Sequence, residues 1–212
     1  MSTVIVPAGL SMGPRYRYVR PPDPTPECYE VHLGDDLLEL TETEAAVWAA
    51  AFLYPDRHAK LSVNRESLVR MLETAPKPEP QAARYVGDLI ARGLLVEFDP
   101  DGDLRLVFSR HKLLPLAQGL GSTPDAPHQH RIGIGDQPLV AVSSDVYAQW
   151  SFSFLHPDLW TACAFYADDS EHVAAGGEPL NLTAESLARE VAEVLPLMIS
   201  AGCAAFDPIV PS

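Results

Sequence analysis

The residues of this chain that could do chemistry are a few histidines and aspartates. His128 and His130 are separated by one residue and offer two imidazole ligands, but no cysteine or acidic pair accompanies them. Asp99, Asp101 and Asp103 alternate as in a calcium loop, yet the glutamate that such a loop needs at its twelfth position is missing. We therefore predict surface histidines, a solvated hairpin turn, no metal site and no cofactor.

Signatures of catalysis are also missing from the sequence. Gly133 and Gly135 are followed by Pro138 and open no helix, which excludes a dinucleotide-binding loop. The chain has no Gly-x-Ser-x-Gly, no Walker loop and no His-Glu-x-x-His. His58 and His156 flank two Pro-Asp turns, but they do not occupy matching positions. The sequence thus predicts a protein that is not an enzyme.

The strongest pattern in the sequence is an internal repeat. The motif Trp-x-x-x-Phe-Leu-x-Pro-Asp begins at Trp48 and begins again at Trp150, 102 residues further on. Identity of five uncommon residue types within nine positions indicates two copies of one unit. The elements that position any site should therefore occur twice.

In the first copy, the residue pattern predicts a hairpin, three helices and a second hairpin. The first hairpin turns at 34–36, and Thr41 with Glu44 has the form of a capping box for the helix that follows. Asn64 is predicted to cap the second helix, and Gly93 to end the third in a left-handed conformation. The helices are predicted at 42–54, 64–73 and 80–92, and the strands at 28–33, 37–40, 94–98 and 104–108. Three helices followed by a hairpin are typical of a winged helix.

The second copy repeats this order without the final hairpin. Its predicted elements are a hairpin at 132–142, a helix at 145–155 capped from Ser143, an apolar stretch at 160–166 and a helix at 183–200 interrupted at Pro196. The predicted fold is α+β, a tandem duplication of a winged-helix-like unit. The predicted domains are a proline-rich arm at 1–27, a first unit at 28–110, a linker at 111–129 and a divergent second unit at 130–212.

Composition narrows the class of partner. Fifteen basic and 29 acidic side chains give a net charge of −14, which repels a phosphate backbone and argues against nucleic-acid binding. Cys28, Cys163 and Cys203 are too few and too scattered for a disulfide framework, so a reducing cytoplasm is expected. We expect neither a signal peptide nor a membrane span.

Two blocks of sequence resemble the PqqD-like family. The block 37–48 runs from a hairpin strand into a helix that starts Thr-Glu-Thr-Glu-Ala-Ala, and an Arg-Gly-Leu-Leu sequence begins at Arg92. Domains of this family are similar to the leader-peptide recognition elements of pathways that modify ribosomally made peptides. The family binds a leader as an added strand on its hairpin sheet, clamped by the third helix. The positions that this resemblance implies for peptide binding are Leu37, Leu38, Glu39, Leu40, Tyr85, Val86 and Leu89.

The function predicted from these features is a non-catalytic adaptor. It would bind a precursor peptide or a modifying enzyme in peptide natural-product biosynthesis. One alternative is a winged-helix regulator whose helix at 80–92 or 183–200 enters the major groove of DNA. Another is an enzyme with an unrecognised site between the units. An exposed hairpin edge also leaves homo- or hetero-oligomers open.

Overall fold

The computed structural model describes residues 3–52, 63–169 and 182–209 of the 212-residue chain. Helices and strands are mixed along the chain, so the predicted α+β class is confirmed. The end of the first predicted helix, the Pro-Asp turn at 55–56 and His58 lie outside the described residues. Contacts divide the described chain into a first unit, 3–97, and a second unit, 98–209.

The first unit contains a three-stranded sheet, a pair of strands and three helices. In chain order the elements are β1 (Val4–Pro7), β2 (Leu10–Arg15), β3 (Cys28–Leu33), β4 (Asp36–Leu40), α1 (Glu42–Ala50), α2 (Arg65–Glu73), α3 (Ala82–Ala91) and β5 (Leu95–Phe98). The strand β3 lies between β2 and β4 and is antiparallel to both. The strands β1 and β5 pair with each other, although Phe98 itself groups with the second unit.

The second unit has the same order of elements after one short helix. The elements are α4 (Arg105–Phe108), β6 (His111–Pro115), β7 (Gln118–Thr123), β8 (Ala126–Ile134), β9 (Gln137–Ser143), α5 (Ser144–Phe152), a 3-10 turn (Ser153–Leu155), α6 (Leu159–Asp169), α7 (Ala184–Ser200) and β10 (Ala204–Pro208). The strand β8 lies between β7 and β9, and β6 pairs antiparallel with β10.

In the first unit, the repeated tryptophan ties the ends of the unit together. The indole N–H of Trp48 donates to the carbonyls of Leu94 (3.1 Å) and Ala8 (3.2 Å). The amide of Ala8 donates to the same Leu94 carbonyl (2.9 Å). Trp48 is buried, and Phe52 meets its ring edge-on at 5.0 Å. Trp48 is thus a core residue of this copy, whereas Phe52 is half-buried.

The second unit repeats this hydrogen bonding. The indole N–H of Trp150 donates to the carbonyl of Cys203 at 2.8 Å, and the amide of Leu116 donates to the same carbonyl at 3.0 Å. In contrast, Phe154 is 40 % exposed. These bonds join the same elements in the same order in the two units.

The helix starts predicted from capping residues are confirmed. The Thr41 hydroxyl accepts the amide of Glu44, and the Glu44 carboxylate accepts the amide of Thr41 at 2.8 Å. Asn64 caps α2 in the same reciprocal way with Ser67, and the Ser143 hydroxyl caps α5 by accepting the amide of Val146. Gly93 has φ 76° and ends α3 in the left-handed region, as predicted.

The wing hairpin predicted in the first copy is wrong. The segment 104–108 forms α4 instead of a strand, and β5 pairs with β1. The carboxylate of Asp103 accepts the amide of Arg105 at 3.1 Å and favours a helical turn there. Phe108 is fully buried against Phe206, at 6.1 Å between ring centres, and this packing holds the turn in place.

The predicted arm and linker also contain strands. The arm supplies β1 and β2, and the segment 111–129 holds β6, β7 and the start of β8. Two glycines in these segments lie at bulges of edge strands. Gly13 (φ 85°) and Gly121 (φ 67°) are where the ladders shift register. A sequence signal existed, because Pro7 and Gly13 recur 108 residues later as Pro115 and Gly121.

The last helix continues through its proline. α7 is unbroken from 184 to 200 with Pro196 inside it, so the predicted interruption is wrong. Pro196 is buried among apolar neighbours of the same helix, including Leu195 and Met198, which are fully buried. Tertiary packing therefore outweighs the lost backbone hydrogen bond.

Candidate peptide-binding edge

The strand β4 forms one edge of its sheet. It pairs with β3 on one side, and no other strand of the described chain pairs with it. Alternate residues of an antiparallel strand direct their amide groups to opposite sides. The guanidinium of Arg92 donates to the carbonyl of Glu39 at 3.4 Å, which identifies Glu39 as an outward-facing residue. Leu37, two residues earlier, also directs its backbone groups outward, so β4 has two residues whose main-chain hydrogen-bonding groups face away from β3.

The side chains of β4 alternate between the core and the outer face of the sheet. Leu40 is buried and Leu38, opposite Val31, is half-buried. Leu37 is 52 % exposed, and Glu39 is exposed on the same face. Of the four predicted strand residues, two are available to a partner through their side chains.

The outer face of this sheet is organised by Arg15. Glu30 and Glu39 are directly opposite each other on β3 and β4, a like-charge pair that is unfavourable alone. The guanidinium of Arg15 contacts both carboxylates at 2.8 Å and reaches Glu27 at 3.7 Å. Atoms of Cys28, Glu30 and Glu39 lie within 4.8 Å of one another, but Arg15 already supplies the positive charge there.

The predicted helical clamp is mostly core. Val86 and Leu89 are fully buried, so they hold α3 against its own unit and are closed to a partner. Tyr85 is half-buried, and the guanidinium of Arg84 lies 5.9 Å from its ring centre. A helical stripe of apolar residues looks the same in sequence whether it faces the core or a groove.

Arg92 is the site residue that sequence reasoning missed. It ends α3, donates to the Glu44 carboxylate at 2.7 Å and touches the outer edge of β4. Burial raises the pKa of the Glu44 carboxyl, but hydrogen bonds from Thr41 and the charge of Arg92 outweigh it and hold that pKa below its ordinary value. The Arg-Gly-Leu-Leu sequence pointed to this position only through a resemblance.

The histidines of β8 do not form a metal site within the described residues. His128 is exposed, while the ring of His130 lies 4.7 Å from Tyr147, with its Nδ1 3.5 Å from the Ser144 hydroxyl. His156 contacts the ring of Phe165 at 4.8 Å. These rings pack on neighbouring side chains.

The remaining chemical candidates have structural roles. The carboxylate of Asp99 accepts the amide of Asp101 at 3.1 Å within a loop, where a hairpin turn was predicted. All three cysteines are free and buried, and burial raises the pKa of Cys163 to about 12. A thiol of that pKa stays protonated at neutral pH and is a poor nucleophile. Gly133 permits a close backbone approach, since a Cβ there would lie 2.0 Å from the carbonyl oxygen of Gln137.

Among the described residues, no helix has the length and apolar character needed to cross a bilayer. No protein-family model matches this chain, and no curated protein or solved structure is detectably similar to it.

Proposed function

We propose that this chain is a peptide-binding adaptor whose first unit takes an extended segment of a partner as an added strand along β4. The observation that carries the proposal is the open edge of β4, with the amide groups of Leu37 and Glu39 turned outward. Main-chain pairing at such an edge gives affinity, and alternate side chains give specificity.

Two neighbouring features suit this edge to a peptide. The Arg92 contact with the Glu39 carbonyl is long at 3.4 Å, and a peptide amide at about 2.9 Å is a better donor. The exposed side chain of Leu37 offers an apolar contact beside the ladder. Arg15 holds β3 and β4 together from the outer face, so the edge is in place before a partner arrives.

The partner class follows from the PqqD-like resemblance of the block 37–48. We propose the leader part of a ribosomally made precursor peptide, or an extended segment of its modifying enzyme, as the added strand. Binding would be non-catalytic and would take place in the cytoplasm, where three free cysteines remain reduced.

The test starts from the material that co-purifies with the tagged full-length chain from its native cell. The affinity of the recovered peptide is then compared between the wild type and Leu37→Pro. This variant removes the outward amide N–H of residue 37 but leaves the pairing of Leu38 and Leu40 with β3. We expect binding to weaken at least about tenfold, because a main-chain hydrogen bond of the added strand is lost and the proline ring blocks close approach. Hydrogen exchange at Leu37 and Glu39 should slow when the wild type binds.

The matched control is Leu37→Thr, which keeps the amide and changes only the side chain. It should retain most of the affinity. Unchanged binding by the proline variant, or recovery of specific DNA in place of a peptide, would overturn the proposal.

A further inference from the structure

The second unit contains an apolar cavity of about 220 Å³ between α5, the 3-10 turn and α6. Its wall includes the rings of Phe152 and Phe165 and the side chain of Leu155, and all three are more than half exposed. Gln149 and Ser153 also line it, although each is only 2 % exposed. The cavity is therefore open and apolar at its rim and polar at its buried end.

The two buried polar residues distinguish this cavity from the matching place in the first unit. Gln149 precedes Trp150 as Val47 precedes Trp48, and Ser153 stands where the first copy has Ala51. The residues Val47 and Ala51 are buried and apolar. Burying a polar group costs free energy unless it gains a partner, so the hydrogen bonds of Gln149 and Ser153 decide whether each has only a structural role.

The hydrogen bonding of these residues points to a ligand. Ser153 is satisfied, since its hydroxyl donates to the carbonyl of Leu113 at 3.2 Å. The side-chain oxygen of Gln149 accepts only a weak contact from the Cys163 thiol at 3.9 Å. Within the described residues, the amide nitrogen of Gln149 has no hydrogen-bond partner. A buried amide in a cavity wall with both of its N–H donors unused is suited to a polar atom that enters from outside.

The charge around the cavity identifies the kind of partner. The segment 144–169, which builds the cavity, contains four aspartates and no lysine or arginine. Asp145 accepts the hydroxyl of Tyr166 at 3.3 Å, and Asp158 caps α6 through Thr161. His156 also lines the cavity, and the guanidinium of Arg105 lies 5.7 Å from the ring centre of Trp160 in α6. The segment itself still has a net negative charge, so an apolar opening in it is complementary to an apolar anchor that is flanked by basic residues.

We propose that this cavity binds an aromatic side chain with a polar tip, tyrosine or tryptophan, from a basic segment of a partner protein. The ring lies between Phe152 and Phe165. A tyrosine hydroxyl there accepts a hydrogen bond from the amide nitrogen of Gln149, whereas an indole N–H donates to its amide oxygen. Asp145, which contacts the lining residue Tyr166, attracts the lysines and arginines that flank the ring. This site belongs to the second unit and does not depend on the proposed edge of β4.

The size of the cavity favours one side chain over a larger molecule. Pockets for drug-sized ligands and cofactors have volumes of roughly 300–1,000 Å³. A closed apolar cavity of about 150 Å³ already holds benzene, so about 220 Å³ suits a single substituted ring.

The experiment uses the full-length chain and labelled nine-residue peptides, measured by fluorescence anisotropy. Each peptide has lysine and arginine flanks and a central tryptophan, tyrosine, phenylalanine or alanine. We expect the tryptophan and tyrosine peptides to bind at least about tenfold more tightly than the alanine peptide. Phenylalanine should bind about fivefold more weakly than tyrosine, because it leaves Gln149 unpaired.

Three variants separate the contributions of the cavity. Gln149→Val restores the residue of the first copy and should abolish the difference between tyrosine and phenylalanine. Phe165→Ser should weaken the tryptophan peptide about tenfold, because it removes one face of the ring contact. Ile134→Ser is the matched control, because Ile134 is 64 % exposed and lies at the end of β8. This substitution should leave binding unchanged.

Two results would overturn the proposal. Equal binding of the alanine and tryptophan peptides would show attraction by charge alone, without an anchor. Self-association of the chain in sedimentation, lost in Phe165→Ser, would show that a second copy of this chain covers the cavity.

Discussion

The two units share a framework and differ in how their surfaces are held. In both, an indole N–H and a backbone amide converge on one carbonyl that precedes the last strand. All eight ion pairs found in the described residues lie in the first unit. Residues 1–97 carry 10 basic and 14 acidic side chains, whereas 98–212 carry 5 and 15. The framework is thus compatible with very different surface charge.

The sheet edges show the same contrast. The β3–β4 ladder is regular from Tyr29 to Asp36. The β8–β9 ladder shifts register after Ile132, and β9 contains Pro138 near its start. Prolines and bulges are features that discourage strand addition at an edge. The first unit therefore has a regular open edge, and the second unit has a cavity.

The largest expected effect comes from the shared tryptophans. Trp48→Ala and Trp150→Ala should each lower the free energy of unfolding by about 3–5 kcal/mol, because both side chains are buried. Trp48→Phe and Trp150→Phe keep most of the buried ring. Each should lower the free energy of unfolding by about 1–2 kcal/mol, mainly because a buried carbonyl loses its indole donor. Urea unfolding followed by circular dichroism measures both losses. A large loss in only one copy would show that the matching bonds are not equivalent in energy.

The next effect tests the irregular ladder of the second unit. Gly133→Ala places a Cβ 2.0 Å from the Gln137 carbonyl oxygen, so the backbone must move, at a cost of about 1–3 kcal/mol. The matching residue of the first unit, His32, has a side chain and lies in a regular ladder. Gly87→Ala is the control, because a Cβ there meets nothing within 4 Å. It lies in α3 and should be neutral or stabilising by up to about 1 kcal/mol. Thermal unfolding that ranks these two variants in the opposite order would rule out the assigned role of Gly133.

The smallest effect concerns acid stability and the small sheet of the second unit. His111 stacks on Phe206 with ring centres 4.4 Å apart, and burial lowers its pKa despite the hydrogen bond to Val107 and the nearby charge of Asp207. The unfolded chain therefore takes up the proton first, near pH 6.5, and stability decreases as the pH falls below that value. His111→Phe keeps the stack and cannot titrate.

The measurement is the melting temperature of wild type and His111→Phe at several values between pH 7.5 and 5. We expect the wild type to lose more stability than the variant over this range. Parallel curves would mean that His111 titrates alike in the folded and unfolded chains. Glu44→Gln, in the first unit, is a second variant for comparison. Its difference in melting temperature from the wild type should shrink only as the pH falls through and below 4.5.

The sequence predicted the helices better than the strands, for physical reasons. Thr41 and Asn64 predict the starts of their helices, because capping depends on residues close in sequence and needs no distant partner. The strands β1 and β6 pair with β5 and β10, each more than 80 residues away, and no local pattern reveals such pairing. The segment 104–108 is apolar and short, so its helical form was decided by packing of Phe108.

For the candidate site, the sequence predicted the hairpin but could not separate edge from core. The strand 37–40 and its turn were correct because the glycine at the turn and the alternation agree. Val86 and Leu89 have the spacing of a binding stripe and of a core stripe, and only the structure shows that they are core. Gln149 gave no signal as a single residue, but alignment of the two copies would have placed it opposite Val47.

The pairing of β1 with β5 brings the beginning and the end of the first unit together, with the Ala8 amide 2.9 Å from the Leu94 carbonyl. A polypeptide with neighbouring termini can be appended to itself through a short connection, because neither copy has to open to admit the other. The same geometry makes the unit a natural subject for circular permutation, with new termini at the exposed prolines between β2 and β3. Gene duplication and circular permutation would then depend on the same property, the proximity of the first and last strands of the unit.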